Sequence, residues 1–147
     1  MMKDTSILTE LIIKTFRGKT LPYDIVSIRT KVFIQEQQVP ENLEWDEDDK
    51  DAIHIIAYYN NTAVGTARFL ESGKIGRMAV LRDWRYQGTG KAMLQFIFSL
   101  ARDKGLTSIT LSAQNHAIEF YKKLGCVIIS DEYLDAGIPH HTMKCTL

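Results

Sequence analysis

The sequence has few of the residues that cross-link a chain or mark a special class of protein. Its 147 residues include two cysteines and three prolines, and 18 basic residues balance 18 acidic ones to a formal charge of zero. Two cysteines form neither a dense disulfide framework nor a metal-ligand spacing. A neutral chain gains no broad attraction to nucleic acid or an anionic membrane, so we expect neither partner. We expect Cys126 and Cys145 to be buried free thiols in a cytoplasmic protein.

Long apolar runs are also missing. No run approaches the ~20 residues that span a bilayer, and residues 1–16 carry acids and hydroxyls where a signal peptide needs an apolar core. No internal repeat or linker divides the chain, so we expect one domain over residues 1–147. The sequence is 45% hydrophobic and 24% charged, which is typical of a globular protein.

The hydrophobic periodicity predicts the element order β, α, β-β-β, α, β, α, β, β. We expect a helix after Pro22 that ends at Pro40, an acidic loop over 41–52, and a turn at Asn60-Asn61. Gly76 suggests a bulge or a close approach in its strand. The remaining predicted elements are strands at 8–16, 53–59, 62–70, 75–81, 107–113, 126–130 and 138–147, and helices at 88–104 and 115–125.

The stretch RYQGTGK, residues 85–91, leads from an apolar strand directly into a helix. Glycines at 88 and 90 remove two Cβ atoms where helix N-terminal amides converge, which favours binding of a phosphate group. The spacing excludes a P-loop, because Arg85 and Ala92 stand where that motif needs Gly and Ser or Thr. Met93 likewise excludes a dinucleotide fingerprint. A plain strand-to-helix turn remains the alternative.

Two segments together resemble a known family. RYQGTG fits the Arg/Gln-x-x-Gly-x-Gly/Ala motif of GNAT-type N-acetyltransferases, and NHAIEFYKKLGC is similar to the family's second motif, Asn-x-x-Ala-x-x-Phe-Tyr-x-x-Leu-Gly. The stretches RTKVFIQEQQVP, EWDEDDKDAIH and GIPHHTM are similar to the ElaA-like branch of that family. Cys126 departs from the family pattern, which has an aromatic residue after Leu-Gly.

The resemblance implies an α/β fold: a mixed, mostly antiparallel central sheet flanked by helices. It implies acetyl-CoA as the cosubstrate, with the main chain of Met78, Ala79 and Val80 pairing with the pantetheine arm. Arg82 and Arg85 would supply positive charge near the pyrophosphate. Asn115 would bind the pantetheine arm, although it could equally act as a helix N-cap. The pyrophosphate would be held by the amides of Gln87, Gly88, Thr89, Gly90 and Lys91.

The resemblance also assigns Tyr121 as the general acid that protonates the departing thiolate; a packed aromatic residue is the alternative. The amine acceptor needs a general base, for which we favour Glu36 and His140. Adjacent histidines on a strand face opposite sides, so at most one of the pair at 140–141 enters a cleft. The other base candidates are Glu44, Asp46, His54 and His141.

The expected activity is direct acetyl transfer to a primary amine of a small molecule or peptide in a ternary complex. A non-catalytic acyl-CoA-binding module is the main alternative. A thiol acyltransferase that uses Cys126 or Cys145 has less support, because no activating arrangement surrounds either cysteine. The acidic loop lacks the Gly and terminal Glu of a calcium loop, so we expect no metal. Exposed sheet edges favour a homodimer.

Overall fold

The computed structural model describes residues 10–147, and one eight-stranded sheet forms its centre. The predicted first strand therefore begins, at residues 8 and 9, outside the described part of the chain. The strands are β1 (Leu11–Phe16), β2 (Ile53–Tyr59), β3 (Thr62–Phe69), β4 (Lys74–Val80), β5 (Ser108–Gln114), β6 (Cys126–Ile128), β7 (Tyr133–Asp135) and β8 (Ile138–Thr146). The α-helices are α1 (Tyr23–Arg29), α2 (Glu41–Glu44), α3 (Thr89–Asp103) and α4 (Ile118–Lys123).

The strands follow the order β1-β2-β3-β4-β5-β8-β6, with β7 paired to β8. All of these pairs are antiparallel except β4 and β5, which are parallel. The β4–β5 ladder is short: it pairs Lys74 with Thr110 and Ile75 with Leu111. Beyond Ile75 the two strands separate, and the gap between them, here called the splay, leaves one edge of β4 without a strand partner. This architecture confirms the predicted fold class.

Helices cover both faces of the sheet. The apolar side of α3, with Leu94, Ile97 and Ala101 fully buried, packs on one face together with α4. A smaller cluster around Ile28, Val32 and Phe33 covers β4 on the other face. The sheet therefore separates an α3/α4 side from an α1 side, and the splay connects them.

Turn chemistry behaves as the sequence predicts. Asn60 and Asn61 have φ of 48° and 70°, the left-handed conformation that a tight hairpin requires. The predicted bulge lies next to Gly76: the register of β3 with β4 shifts between Thr66 and Arg68, and Arg77 has φ of 49°.

Several local predictions were wrong. The predicted first helix changes at Thr30 into a π-helical segment, Thr30–Glu36, which ends four residues before Pro40. The acidic loop contains α2 and a 3-10 turn, Glu47–Lys50. Strand β7 was not predicted. Asn115 is not an N-cap, because α4 begins at Ile118 and no side chain caps it.

The two cysteines are not free thiols. Cys126 and Cys145 are buried as predicted, but they form a disulfide, since they face each other directly in the β6–β8 ladder with Cα atoms 4.1 Å apart. The thiol acyltransferase alternative therefore has no thiol available in this structure.

In the described part of the chain, no helix is long and apolar enough to cross a membrane, and no group of potential ligands could hold a metal ion.

Candidate active site

The turn before α3 has the features of a phosphate site. Gly88 lies at the N-cap with φ of 85°, and no side chain caps the helix. The first intrahelical bond runs from the Ala92 amide to the Gly88 carbonyl at 3.0 Å, which leaves the preceding amides of the first turn without helical partners. A Cβ added at Gly88 would meet nothing within 4 Å, so its backbone is open to a ligand.

A second observation at this turn fits a bound anion. Two buried polar side-chain atoms have no hydrogen-bond partner among residues 10–147, and one of them is the Thr89 hydroxyl oxygen, in a residue that is 1% exposed. A buried hydroxyl without a partner is costly. An oxyanion at the helix N-terminus would supply the missing acceptor and would benefit from the helix dipole. The residues present therefore fit the pyrophosphate of an acyl-CoA.

The open edge of β4 leads from this turn to Tyr121. Met78, Ala79 and Val80 border the splay, and Ala79 pairs with Thr66 of β3 on the other edge. The Tyr121 hydroxyl lies 3.6 Å from the Met78 sulfur. Burial raises the pKa of Tyr121 to about 12, so its phenol keeps its proton throughout the physiological range.

Arg85 and Glu36, which the sequence analysis assigned to different roles, bind each other. The Arg85 amino groups donate to the two Glu36 carboxylate oxygens at 2.6 and 2.7 Å, and Arg85 Nε donates to the Val80 carbonyl at 2.8 Å. The hydrogen bond from Arg85 holds the pKa of Glu36 below its ordinary value. Arg82 lies 3.6 Å from the same carboxylate and is otherwise exposed. Of these two arginines, Arg82 is therefore the more exposed and the more loosely paired.

A cleft of about 400 Å³ lies beside this ion pair, between the π-helical segment and residues 81–84. Glu36 and Arg82 form part of its wall, with Lys31 adding a further positive charge. Gln87 lies on the exposed side of the turn, where its amide donates to the Asp83 carbonyl at 3.4 Å.

On the α1 side of the splay, the ends of β5, β7 and β8 carry a group of uncharged polar side chains, here called the polar cluster. Gln114 donates to Gln37 at 2.7 Å, and the Tyr133 hydroxyl shares hydrogen bonds with Ser112 and Thr142. The register pairs Ser112 with Thr142 and Gln114 with His140, which places them on one face. The polar cluster consists of Gln37, Ser112, Gln114, Tyr133, His140 and Thr142.

His140 has a defined tautomer in this cluster. Its Nδ1 lies 2.6 Å from the Ile138 carbonyl, and because a carbonyl only accepts, Nδ1 carries the hydrogen and Nε2 keeps its lone pair in the neutral ring. The ring stacks on Tyr133 with centroids 6.1 Å apart. His141, on the opposite face of β8 as expected, donates to the Asn115 amide oxygen at 2.8 Å. The Asn115 amide nitrogen donates to Glu132 at 2.7 Å.

The remaining base candidates lie in a buried ionic cluster. Arg29, 1% exposed, donates to Glu44 and Asp49 at 2.7 Å, and its guanidinium lies 4.7 Å from the Trp45 ring centre. Two further arginines complete the cluster: Arg68 binds Asp46 and Asp49, and Arg77 binds Glu44 and Asp46. Three arginines thus neutralise three carboxylates.

His54 belongs to the same cluster. It is 1% exposed, and its Nε2–H donates to the Asp49 carbonyl at 2.9 Å. Burial lowers the pKa of His54 from its ordinary value. The structure therefore places Glu44, Asp46 and His54 in a scaffold that holds the acidic segment against β2–β4.

Sequence comparison assigns the family. The family model described as the acetyltransferase (GNAT) domain matches residues 13–147. The chain belongs to the GNAT acetyltransferase family. It is an acyltransferase, and members of this family use an acyl-CoA.

Individual relatives agree with this assignment. The Bacillus subtilis protein named "Uncharacterized N-acetyltransferase YjcF" is 38% identical over 124 residues, which cover 82% of this chain and 89% of the relative. A solved acyl-CoA N-acyltransferase from Pseudomonas aeruginosa is 29% identical with a TM-score of 0.81, over 92% of this chain and 99% of that one. Escherichia coli ElaA, with the same two coverages, is 26% identical with a TM-score of 0.80. The similarity to the ElaA-like branch is confirmed.

The sequence analysis missed three parts of this GNAT site. Arg29 follows the apolar positions Ile25 and Ile28 at helical spacing, and a basic residue on that face signals a buried ion pair. Gln37 and Gln114 are 77 positions apart, and no local pattern connects them. Tyr133 and Ser112 meet only through the hairpin of β7 and β8.

Proposed function

We propose that this GNAT protein transfers the acetyl group of acetyl-CoA to a primary amine of a small molecule or peptide in a ternary complex. The observation that carries the proposal is the uncapped N-terminus of α3, with its unpartnered Thr89 hydroxyl, at one end of the open β4 edge that reaches Tyr121. A phosphate site and a protonated phenol at opposite ends of one groove suit a long phosphorylated thioester.

The donor side has separate groups for each part of acetyl-CoA, which supplies the acetyl group as a thioester. The pyrophosphate would be held by the amides of residues 87–91, with Arg82 as the more exposed positive charge nearby. The edge of Met78, Ala79 and Val80 at the splay offers main-chain groups to the amides of the pantetheine arm, except the Val80 carbonyl, which accepts from Arg85. The Asn115 side chain already bonds to His141 and Glu132, and its second amide hydrogen would bind the same arm.

Tyr121 is the proposed general acid. Its phenol is protonated at physiological pH, and its neighbour Met78 lies on the strand that borders the splay. Tyr121 donates its proton to sulfur as the carbon–sulfur bond breaks. Burial raises the pKa of a thiol as well as that of a phenol, so a sulfur that departs into the same apolar surroundings accepts a proton more readily than it would in water.

His140 is the proposed general base, and the geometry favours it over Glu36. Its Nε2 lone pair can accept the proton that the amine loses as the carbon–nitrogen bond forms. Glu36 is engaged by both amino groups of Arg85, and its lowered pKa makes it a weak base. We propose that Glu36 positions Arg85, which in turn holds the end of β4 through Val80.

Matched glycine variants test the donor site. Gly88→Ala and Gly105→Ala alter the two ends of α3, and both glycines have left-handed φ values, 85° and 82°, with open space around the new Cβ. Each substitution should cost about 1 kcal/mol of folding stability. Titration calorimetry with acetyl-CoA should show at least a tenfold loss of affinity for Gly88→Ala alone. Equal affinities in the two variants would contradict a phosphate site at this turn.

Turnover separates the enzyme from a non-catalytic binding module. An amine-dependent release of CoA thiol by a protein that binds acetyl-CoA supports the transferase. Binding of acetyl-CoA without thiol release across a broad set of amines would instead support the binding module.

We also propose a cytoplasmic location and a homodimer. Val127, Ile128 and Ile129 expose apolar side chains along the outer edge at β6, and a second copy would cover them. Light scattering during size exclusion tests the dimer. Disulfides are uncommon in the cytoplasm. The location is therefore tested by alkylating thiols in intact cells and measuring by mass spectrometry whether Cys126 and Cys145 are free thiols or a disulfide.

A further inference from the structure

The geometry points to a specific class of acceptor, a small primary amine that carries uncharged hydroxyl groups, such as an amino alcohol or an amino sugar. This inference rests on the proposed function, since it names the acceptor for the same site. It follows from the chemistry of the polar cluster and from the way in which the surrounding charges are neutralised.

The polar cluster lies on the α1 side of the splay, which is where we place the amine acceptor. Gln114 ends β5 beyond the point where β5 leaves β4, and its bond to Gln37 connects it to the end of the π-helical segment. His140, the proposed base, lies directly across from Gln114 in the β5–β8 register. Tyr121, on the other face of the sheet, approaches the splay from the α3/α4 side. His140 is 7% exposed, so we infer that an amine reaches it past the half-buried side chains of the polar cluster.

The cluster offers hydroxyls and amides and no formal charge. Ser112, Tyr133 and Thr142 form a connected set of hydroxyls, each of which can both donate and accept. These side chains are half-buried, so they remain open to a ligand. A hydroxylated ligand can exchange hydrogen bonds with such a set, whereas an ammonium group or a carboxylate finds no opposite charge in it.

Charged groups near the cluster are partly engaged. Glu44, Asp46 and Asp49 are bound by three arginines. The other carboxylates of the acidic segment, Glu41, Glu47, Asp48 and Asp51, are exposed, and none of them belongs to the polar cluster. Glu36 is bound by Arg85. Among the charged residues of the sheet, Lys74, Asp135 and Lys144 share the face of the cluster, and all three are exposed and lie outside the cluster. Neither a second cation nor an acceptor carboxylate has a dedicated partner here.

An acceptor panel tests the inference. Thiol release from acetyl-CoA is measured with serinol, D-glucosamine, cyclohexylamine, spermidine and a lysine-containing peptide. We expect kcat/KM for serinol or D-glucosamine to exceed that for spermidine and for the peptide by at least tenfold. A preference for spermidine or the peptide would overturn the inference and leave the transferase intact. Release with none of the five amines, by protein that binds acetyl-CoA, would contradict the proposed function itself.

Variants that remove single hydroxyls locate the recognition. Ser112→Ala, Thr142→Val and Tyr133→Phe, which keeps the ring stacked on His140, should each lower kcat/KM for the hydroxylated amine about tenfold. The same variants should change kcat/KM for cyclohexylamine less than twofold. For each amine we compare kcat/KM of the wild type with kcat/KM of the variant, because this ratio cancels differences in basicity between the amines. Ser99→Ala, on the exposed side of α3, is the control.

An equal loss for both amines in these variants would overturn the inference, because it would mean that the hydroxyls support the site and do not contact the acceptor. A rise in KM for the hydroxylated amine, with kcat retained, supports direct contact. The comparison of the two amines and the separate values of KM and kcat distinguish contact with the acceptor from support of the site.

Discussion

At the scale of a single residue, Tyr121 is unusual because it is buried and yet makes almost no polar contact. Its hydroxyl contacts the Met78 sulfur at 3.6 Å, a weak acceptor, and no carboxylate or carbonyl of residues 10–147 binds it. A phenol that is buried for structural reasons alone normally has a hydrogen-bond partner. The unused donor therefore favours a role in which a ligand completes the site.

Tyr121→Phe should separate catalysis from stability. Because the hydroxyl makes one weak contact, we expect the melting temperature and the affinity for acetyl-CoA to change little. Loss of a general acid should lower kcat by about 10²-fold or more. Steady-state kinetics, thermal denaturation and calorimetry measure the three quantities. Retained kcat would contradict the acid role, and a large drop in melting temperature would indicate a packing role.

The Glu36–Arg85 pair shows what a motif can and cannot predict about a residue. Arg85 occupies the motif position, and the sequence predicts that it lies beside the glycine turn before α3. Its bonding to Glu36, 49 positions away, depends on how the π-helical segment packs on β4. The motif therefore predicts location, and the charge that remains available after pairing depends on the tertiary structure.

At the scale of elements, the ionic cluster fastens the acidic segment to the sheet. Arg29 at the end of α1 bonds to Glu44 at the end of α2 and to Asp49 in the 3-10 turn. Hydrogen bonds from Arg29 hold the pKa of Asp49 below its ordinary value although burial pushes it upward. One side chain thus connects α1 to α2 and to the 3-10 turn.

Arg29→Met should be strongly destabilising because it leaves two buried carboxylates without their main partner. The expected cost is about 3–5 kcal/mol of unfolding free energy. Arg17→Met is the matched control: Arg17 pairs with Glu71 at 3.2 Å, but both side chains are more than half exposed, and its loss should cost less than about 1 kcal/mol. Urea denaturation of both variants measures the difference. Similar midpoints would show that the cluster contributes no net stability.

The disulfide joins β6 to β8 directly behind α4. Helix α4 ends at Lys123, and Cys126 lies three residues further on, so the bond holds the chain just after the helix that carries Tyr121. The cysteines are 19 positions apart, and the closed loop should contribute about 3 kcal/mol. We expect Cys145→Ser, or a reductant added to the wild type, to lower the urea midpoint. The same reductant should leave the midpoint of Cys145→Ser unchanged; a shift there would point to another effect.

At the scale of the whole molecule, stability should depend on pH through His54. Burial lowers the pKa of this histidine from its ordinary value of 6.5. As pH falls through about 6.5 the unfolded chain takes up a proton that the folded protein does not, so the folded state loses up to about 1.4 kcal/mol per pH unit from this group. Stability from His54 is present above that pH and is lost below it.

His54→Gln should therefore lose less stability than the wild type between pH 7 and pH 5.5. His116→Gln changes an exposed histidine and should follow the wild type. Denaturant titrations at a series of pH values give the change of unfolding free energy with pH for the wild type and for each variant. Parallel curves for wild type and His54→Gln would contradict the assignment of the acid sensitivity to His54.

The sequence by itself determined what local chemistry controls. Asparagine at 60 and 61 tolerates positive φ, glycine at 88 and 105 allows left-handed caps, and apolar periodicity identifies α3 and the central strands. The same local patterns revealed the two motifs, and with them the family and the fold class.

The tertiary structure alone decided which distant groups meet. The disulfide, the Glu36–Arg85 pair and the Gln37–Gln114 bond each join residues on elements brought together by the sheet order, and no periodicity in the sequence reports such a pairing. The π-helical segment is likewise fixed by its packing, since its end carries Glu36 and Gln37 toward partners on two different elements. Hydrophobic pattern and turn chemistry act over a few residues, whereas the partner of a charge or hydroxyl depends on the assembled sheet.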